Sequence, residues 1–469
     1  MTPCATLADP NLWAAKLAGL ADFPDARLNT RFAALLVTFS LKPLDSIPQA
    51  SGSAGEAKAI YRFLSNRRLS VADFLQPIVA GTVEGCRGQP TVYAVQDSTS
   101  LNYSTLSRTT GLGPLNDTPN ALGLHLHTTL ALRPDGVPIG LLNQHYWSRP
   151  VVVPDAPDAP DHHHVPIEDK ESYKWLLGLH AAEAAIAELP EAERPRLIHV
   201  MDREGDIHEV LEHISATPHG AVIRSAQNRS VDGKINKAHN AIAASPLIGT
   251  HRLHLSARHG QPRRTARLEL RAVTLTITPD RKKHPDRRPV TWTLIEAREV
   301  DAPAGVEPLR WLLWTTEPAK NKPQILAVLT IYSLRWRVED YHLTLKSGCR
   351  AEALELETAE RLTKALILYS AVAVRIVALR DLARLEPDAP CTMVLSDLAW
   401  RVLFAHFEKR QPKADTPVPT VRQAVLWIGR LGGHLNRKRD GMPGVRTLWR
   451  GWRDLTILVL GYRLGQEKR

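Results

Sequence analysis

The stretch IYSLRWRVEDYHLTLK, residues 331–346, decides how this chain is read. Tyr332, Arg335, Glu339 and Lys346 stand three, four and seven residues apart within it. At about 100° per residue they fall within roughly 60° of one another, so all four are expected to project from one side of a helix. A carboxylate flanked by two cations and a phenol suits a metal-bound phosphodiester. The carboxylate can ligate a divalent ion while Arg, Lys and the Tyr hydroxyl grip phosphate oxygens. The other side, Ile331, Leu334, Val338, Tyr341 and Leu345, is apolar and is expected to face a core. A solvated charged face would give the same pattern, so the choice turns on acids elsewhere in the chain.

Composition bounds those choices. At 469 residues and 43% apolar content the chain is globular and too long for one compact core, which suggests two to four units. The longest apolar run, residues 365–379, is interrupted by Arg375 and is shorter than the roughly 20 residues that cross a bilayer, so it reads as a buried helix. The opening MTPCATLADPNLW has no basic segment followed by an apolar stretch, and a cytoplasmic, nucleoid-associated protein without membrane partners is expected. Cys4, Cys86, Cys349 and Cys391 form no CxxC pair, which argues against a zinc site and a disulfide framework. The net charge of +11 is unevenly spread. Residues 224–298 hold 16 Lys and Arg against 5 Asp and Glu, and residues 401–469 hold 15 against 5, leaving the rest acidic. Two basic regions on an acidic chain suit a polyanion, with nucleic acid favoured over plain solvated charge.

The pattern changes along the chain. Residues 1–69 read as a helical unit punctuated by Pro24 and Pro43 and studded with Arg27, Arg31, Arg62, Arg67 and Arg68; it could dock on duplex DNA or cap the next domain. From Pro90 strands alternate with helices, indicating a mixed α/β sheet over residues 70–382. A strand-rich basic stretch occupies about residues 221–314, and residues 383–469 are helical and basic. The acidic, histidine-bearing segment around Asp155, Asp158, Asp161, His162, His163 and His164 reads as a surface loop rather than a metal tract.

Two aspartates shift the balance toward chemistry. Asp97 ends TVYAVQD and Asp202 ends RLIHVMD, both strand-like runs. With Glu339 they could converge at one sheet edge and hold two divalent cations for in-line phosphoryl displacement. Oxygen-only ligands favour Mg²⁺, with Mn²⁺ as substitute. Taken singly, either aspartate could equally be a turn or cap residue.

The pattern Tyr332-x2-Arg335-x3-Glu339-x6-Lys346, with Asp97 in VQDSTSL and Asp202 in MDREGDIH, resembles the YREK-signature DDE transposases of bacterial insertion sequences. AIYRFLSN (59–66), GLLNQHYWSRP (140–150), KESYKW (170–175), VIRS (222–225), RWLLWTTEP (310–318) and AVLWIGRLGGHLNRKRDG (424–441) are similar to that family's segments in the same order. The resemblance implies an RNase H-like mixed sheet with a β insertion, flanked by an N-terminal DNA-end-binding domain and a C-terminal dimerisation domain. It implies Asp97, Asp202 and Glu339 as catalytic metal ligands. Tyr332, Arg335, Lys346 and Arg224 would then contact end phosphates. Trp311 would stack on a flipped base, with a place in the strand core as its alternative, and Arg62 and Arg31 would read the DNA end. The implied activity is cut-and-paste transposition by a homodimer acting on transposon-end inverted repeats and target DNA, through nicking, hairpin formation, hairpin opening and strand transfer. A metal-dependent nuclease or resolvase without strand transfer, and an inactive DNA-binding relative, are the alternatives.

Overall fold

A computed structural model describes residues 9–115, 121–150, 165–255, 263–279, 286–437 and 440–467. The histidine-bearing segment around residues 151–164 and Cys4 lie outside them.

The N-terminal unit is built from helices α1 (Pro10–Gly19), α2 (Ala26–Leu41), α3 (Ile47–Ala50) and α4 (Ala54–Leu64), followed by α5 (Val71–Cys86). Asp9, Asp25, Ser46, Ser53 and Ser70 cap their starts by accepting backbone N–H bonds, which is why each helix begins where it does. Phe23, Phe32, Phe63 and Phe74 gather with ring centroids 5.2–6.4 Å apart and join the unit to α5. Each such pair adds about 0.5–1.5 kcal/mol beyond simple burial. Phe39 stacks on Tyr369 at 4.3 Å, so the unit also rests on the long helix of the core.

The centre is a mixed sheet of β1 (Thr91–Asn102), β2 (Gly113–Pro114), β3 (Leu122–Leu132), β4 (Pro138–Trp147), β5 (Arg196–Met201), β6 (Gly220–Arg224), β7 (Gly249–Leu255), β8 (Arg264–Ile277), β9 (Val290–Val300) and β10 (Arg310–Thr315). β1, β3 and β4 are antiparallel, whereas β5 and β6 run parallel to β1. The parallel steps need crossovers, supplied by α6 (Lys174–Ala187) and α7 (His208–Ser215). Beyond β6 the sheet continues antiparallel through β10, β9, β8 and β7. That extension is the basic strand-rich stretch, which also contains a short helix, α8 (Ala238–Ala244).

One sheet face carries Val95, Ile198 and Val200 against α9 (Lys322–Ser333), α10 (Trp336–Leu343) and α11 (Ala359–Leu385). The other carries Ala94, Leu197 and Met201 toward α6 and α7. Helix α11 is long and apolar enough to cross a membrane, yet its most apolar window is wholly buried in the fold. Arg375 interrupts its apolar run because its guanidinium lies over the Trp13 ring at 4.4 Å and donates to Ser40 Oγ at 3.1 Å.

Helices α12 (Asp397–Glu408), α13 (Val421–Leu431) and α14 (Val445–Glu467) form a C-terminal layer around a second core with Trp400, Leu403, Trp427 and Ile428. Close approach of α13 and α14 requires glycine: a Cβ on Gly451 would lie 1.7 Å from the Ile428 carbonyl oxygen.

Candidate active site

Alternation along β1 and β5 carries Asp97 and Asp202 to the face that α9 and α10 cover, since Val95 and Val200 already point there. The parallel register pairs Val95 with Val200, and Asp97 and Asp202 each lie two residues further on, near enough for the Asp202 charge to act on the Asp97 carboxyl. The expected strand end at Asp97 is corrected. β1 continues to Asn102 because β3 pairs with it as far as Gly123, whereas β5 stops at Met201. Asp97 is therefore mid-strand, past the last residue of β1 that pairs with β5. Asp202 caps the following turn, accepting from Glu204 N–H at 2.8 Å.

Residues 331–346 do not form one straight helix. Leu334, Arg335, Arg337 and Val338 donate to carbonyls three residues back, which tightens the chain between α9 and α10. After Leu343 the chain loosens into a π turn, Thr344–Gly348. Arg335 and Glu339 pair directly, and Tyr332 lies near enough to Arg335 and Asp202 to feel their charges. Tyr332 is buried, with its ring edge-on to Trp311 at 5.9 Å. Burial raises its phenol pKa, against the pull of Arg335 and Arg224 nearby. Lys346 sits in the π turn, where burial lowers its pKa against the charge of Glu352. Of the predicted apolar side, Ile331, Val338, Tyr341 and Leu345 are buried and Leu334 is half-buried.

Arg335 forms the centre of the group. Its Nη1 donates to Asp97 Oδ2 at 2.9 Å and its Nη2 to Glu339 Oε1 at 2.5 Å. Burial works against its charge, yet Asp97, Tyr332 and Glu339 hold its pKa above the ordinary value. Burial first, then the charges of Asp202 and Glu339, push the Asp97 carboxyl up to about 6, while Arg335 and the Ser98 N–H oppose them. The Asp202 carboxyl is also raised, mainly by burial and further by Glu204. Among the described residues no three His, Cys, Asp or Glu side chains are arranged to hold a metal ion. The donor chemistry, carboxylates of Asp97 and Glu339 joined through Arg335 with the Asp202 charge felt at Asp97, nevertheless suits a hard divalent cation. What stands between Asp97 and Glu339 is a guanidinium.

Neighbouring contacts fix these side chains. Tyr341 accepts from Gln144 Nε2 at 2.8 Å and His342 meets Thr128 Oγ1 at 3.1 Å, seating α10 on β3 and β4. Arg337 pairs with Asp381 at 3.2 Å, and Arg380 pairs with both Asp340 and Asp381, tying α10 to α11. Asp206 is buried and accepts from Ala226 N–H, Gln227 N–H and Arg229 Nε, which ties the turn after Asp202 to the loop after Arg224.

Sequence reasoning gave no role to Lys174, which is buried, pairs with Glu204 at 3.0 Å and bears electrostatically on Asp202. The only sequence signal was its place in KESYKW. Trp311 is half-buried and Arg224 ends β6 beside Tyr332. Arg31 is half-buried on α2 and Arg62 is exposed on α4, both in the N-terminal unit.

Residues 10–69 match the family described as Transposase DNA-binding. Residues 371–468 match the family described as Transposase Tn5 dimerisation domain. These matches support DNA binding and homodimerisation. A transposase DNA-binding domain and a Tn5-type dimerisation domain thus bracket the acidic site, and together they support a DNA transposase of the Tn5 kind.

Proposed function

We propose that this chain is a DDE transposase of the YREK-signature type, with an RNase H-like core that performs cut-and-paste transposition at one acidic site per subunit. The observation that carries the reading is the Asp97, Asp202, Glu339 and Arg335 group, set between a DNA-binding and a dimerisation family match. Asp97, Asp202 and Glu339 would hold Mg²⁺, or Mn²⁺ in its place, in a pair. Bound there, the ions supply activation of the attacking oxygen and charge stabilisation of the leaving oxygen in each phosphoryl transfer. The chain's own residues do the rest. Arg224, Arg335 and Lys346 neutralise and orient phosphates of the transposon end. Tyr332, buried and facing Arg224, offers a hydroxyl to the same strand. Trp311, half-buried against Tyr332, can give a π face to a base extruded when the strand bends into a hairpin, offsetting an unstacking cost of a few kcal/mol. Arg31 and Arg62 would read the end from the N-terminal unit.

The same site would serve water-driven nicking, attack of the freed 3′-OH on the opposite strand, hairpin opening and joining to target DNA. The test is incubation of the purified protein with a linear duplex carrying the native flanking ends, with Mg²⁺ or EDTA, followed by a denaturing gel. Mg²⁺-dependent hairpins at the element boundary are the expected products. Nicks without hairpins would replace this reading with a simple nuclease, and end binding without any cleavage would replace it with an inactive relative.

A further inference from the structure

Arg335 was expected to face phosphate, yet its two terminal nitrogens are committed to two different carboxylates. A guanidinium usually pairs both nitrogens with one carboxylate in a fork. Here the fork is opened across Asp97 and Glu339, whose pairing oxygens are thereby withdrawn from any cation. Asp202 adds a third negative charge beside them, since it raises the Asp97 carboxyl through space. Lys174 bears on Asp202 from the far side, paired with Glu204, so Arg335 is the cation that lies directly between Asp97 and Glu339, and its chemistry equally fits a phosphodiester. Arg335 also lies where the backbone changes course, between α9 and α10, with its guanidinium 5.1 Å from the Trp336 ring. Its side chain is 11% exposed whereas that of Glu339 is 38% exposed, so the group opens to solvent on the Glu339 side.

We propose that Arg335 is an exchangeable counter-cation, bridging Asp97 and Glu339 in the DNA-free protein and moving to a DNA phosphate when an end binds, so that DNA and divalent cation bind with positive coupling. This rests on the assignment of the three acids as cation ligands. The physical content is competition. While Arg335 holds the two carboxylates, a cation must displace it; once phosphate takes the guanidinium, the carboxylates are free and unbalanced. Linkage then requires the effect to be reciprocal, with the cation strengthening DNA binding by the same factor. A lysine could satisfy only one carboxylate at a time, because its ammonium is a point charge rather than a fork.

The experiment is titration of Mn²⁺ into the full-length protein, followed by electron paramagnetic resonance of free Mn²⁺. It is done alone and with a blunt duplex that ends at the element boundary, with duplex-only titrations subtracted. For the unaltered protein the duplex should tighten Mn²⁺ binding about 10-fold, within the roughly 5–150-fold range usual for coupled sites. Arg335→Gln should bind Mn²⁺ about 10-fold more tightly without DNA and lose most of the duplex effect, with Arg335→Lys between the two. Equal Mn²⁺ affinity of the unaltered protein with and without the duplex would overturn the coupling and leave the cation assignment intact. So would an Arg335→Gln protein that binds Mn²⁺ no better than the unaltered one. Mn²⁺ binding that is indifferent to Asp97→Asn would instead remove the cation assignment itself. The unaltered protein alone decides the coupling should Arg335→Gln fail to fold.

Discussion

Replacing Asp206 by alanine isolates the contact that holds the turn after Asp202 to the loop after Arg224. The Asp206 side chain is fully buried and pairs at 2.7 Å with Arg229, itself 9% exposed, while two backbone N–H groups donate to its other oxygen. Removing one partner of a buried pair leaves the other without its counter-charge, at a cost of about 3–5 kcal/mol, although Arg229 Nη2 keeps its bond to the Asp206 backbone carbonyl. The two N–H groups belong to exposed residues, Ala226 and Gln227, and can turn to water, so they add little. At about 2–4 °C per kcal/mol for a cooperative unit of 150–250 residues, a loss of about 4 kcal/mol lowers Tm by about 8–16 °C. Scanning calorimetry of Asp206→Ala, Arg229→Met and the double variant forms a thermodynamic cycle. The double variant should recover much of the loss, because no charge is then left stranded. A double variant that melts as low as the sum of the two singles would refute the reasoning and assign the damage to lost packing.

Glu339→Gln should keep end binding in a gel-shift assay and lose DNA cleavage; full nicking would remove Glu339 from the cation site. Trp311→Ala should leave nicking intact while hairpin yield falls on a denaturing gel, whereas normal hairpin yield would return Trp311 to the strand core. With EDTA present, Asp97 should make stability depend on pH. Its folded pKa of about 6 lies above the ordinary 3.8, so its contribution is full below about pH 3.8 and is lost as pH rises through about 6. The loss is about 3 kcal/mol at most, and Asp97→Asn should flatten Tm over that window. Gly451→Ala should force α14 away from the Ile428 carbonyl, costing at least the roughly 1–3 kcal/mol typical of overpacking, read as a lower Tm and weaker self-association on sizing.

Much of this protein was legible because local rules act on short stretches. Punctuation by Pro24 and Pro43 and apolar periodicity announced helices before any contact was known. The same periodicity identified Val338, Tyr341 and Leu345 as core. The change from helical ends to a stranded centre, and the gathering of basic residues at two places, are properties of composition that folding does not alter. Tertiary structure decided what depends on residues far apart in the chain. Asp97 is mid-strand because β3 continues past the point where β5 ends, a fact no reading of residues 91–97 contains. Residues 331–346 are interrupted by three-residue hydrogen-bond steps and a π turn, and Tyr332 meets the Trp311 ring, contacts that a uniform helical period does not contain. Arg335 binds acids rather than open solvent because the partner of its Nη1, Asp97, lies 238 residues away and on the neighbouring strand face. Sequence alone thus determined which chemical groups this chain owns and on which kind of element. Charge pairing across the sheet and helices, which requires the whole chain to be folded, decided which of those groups meet.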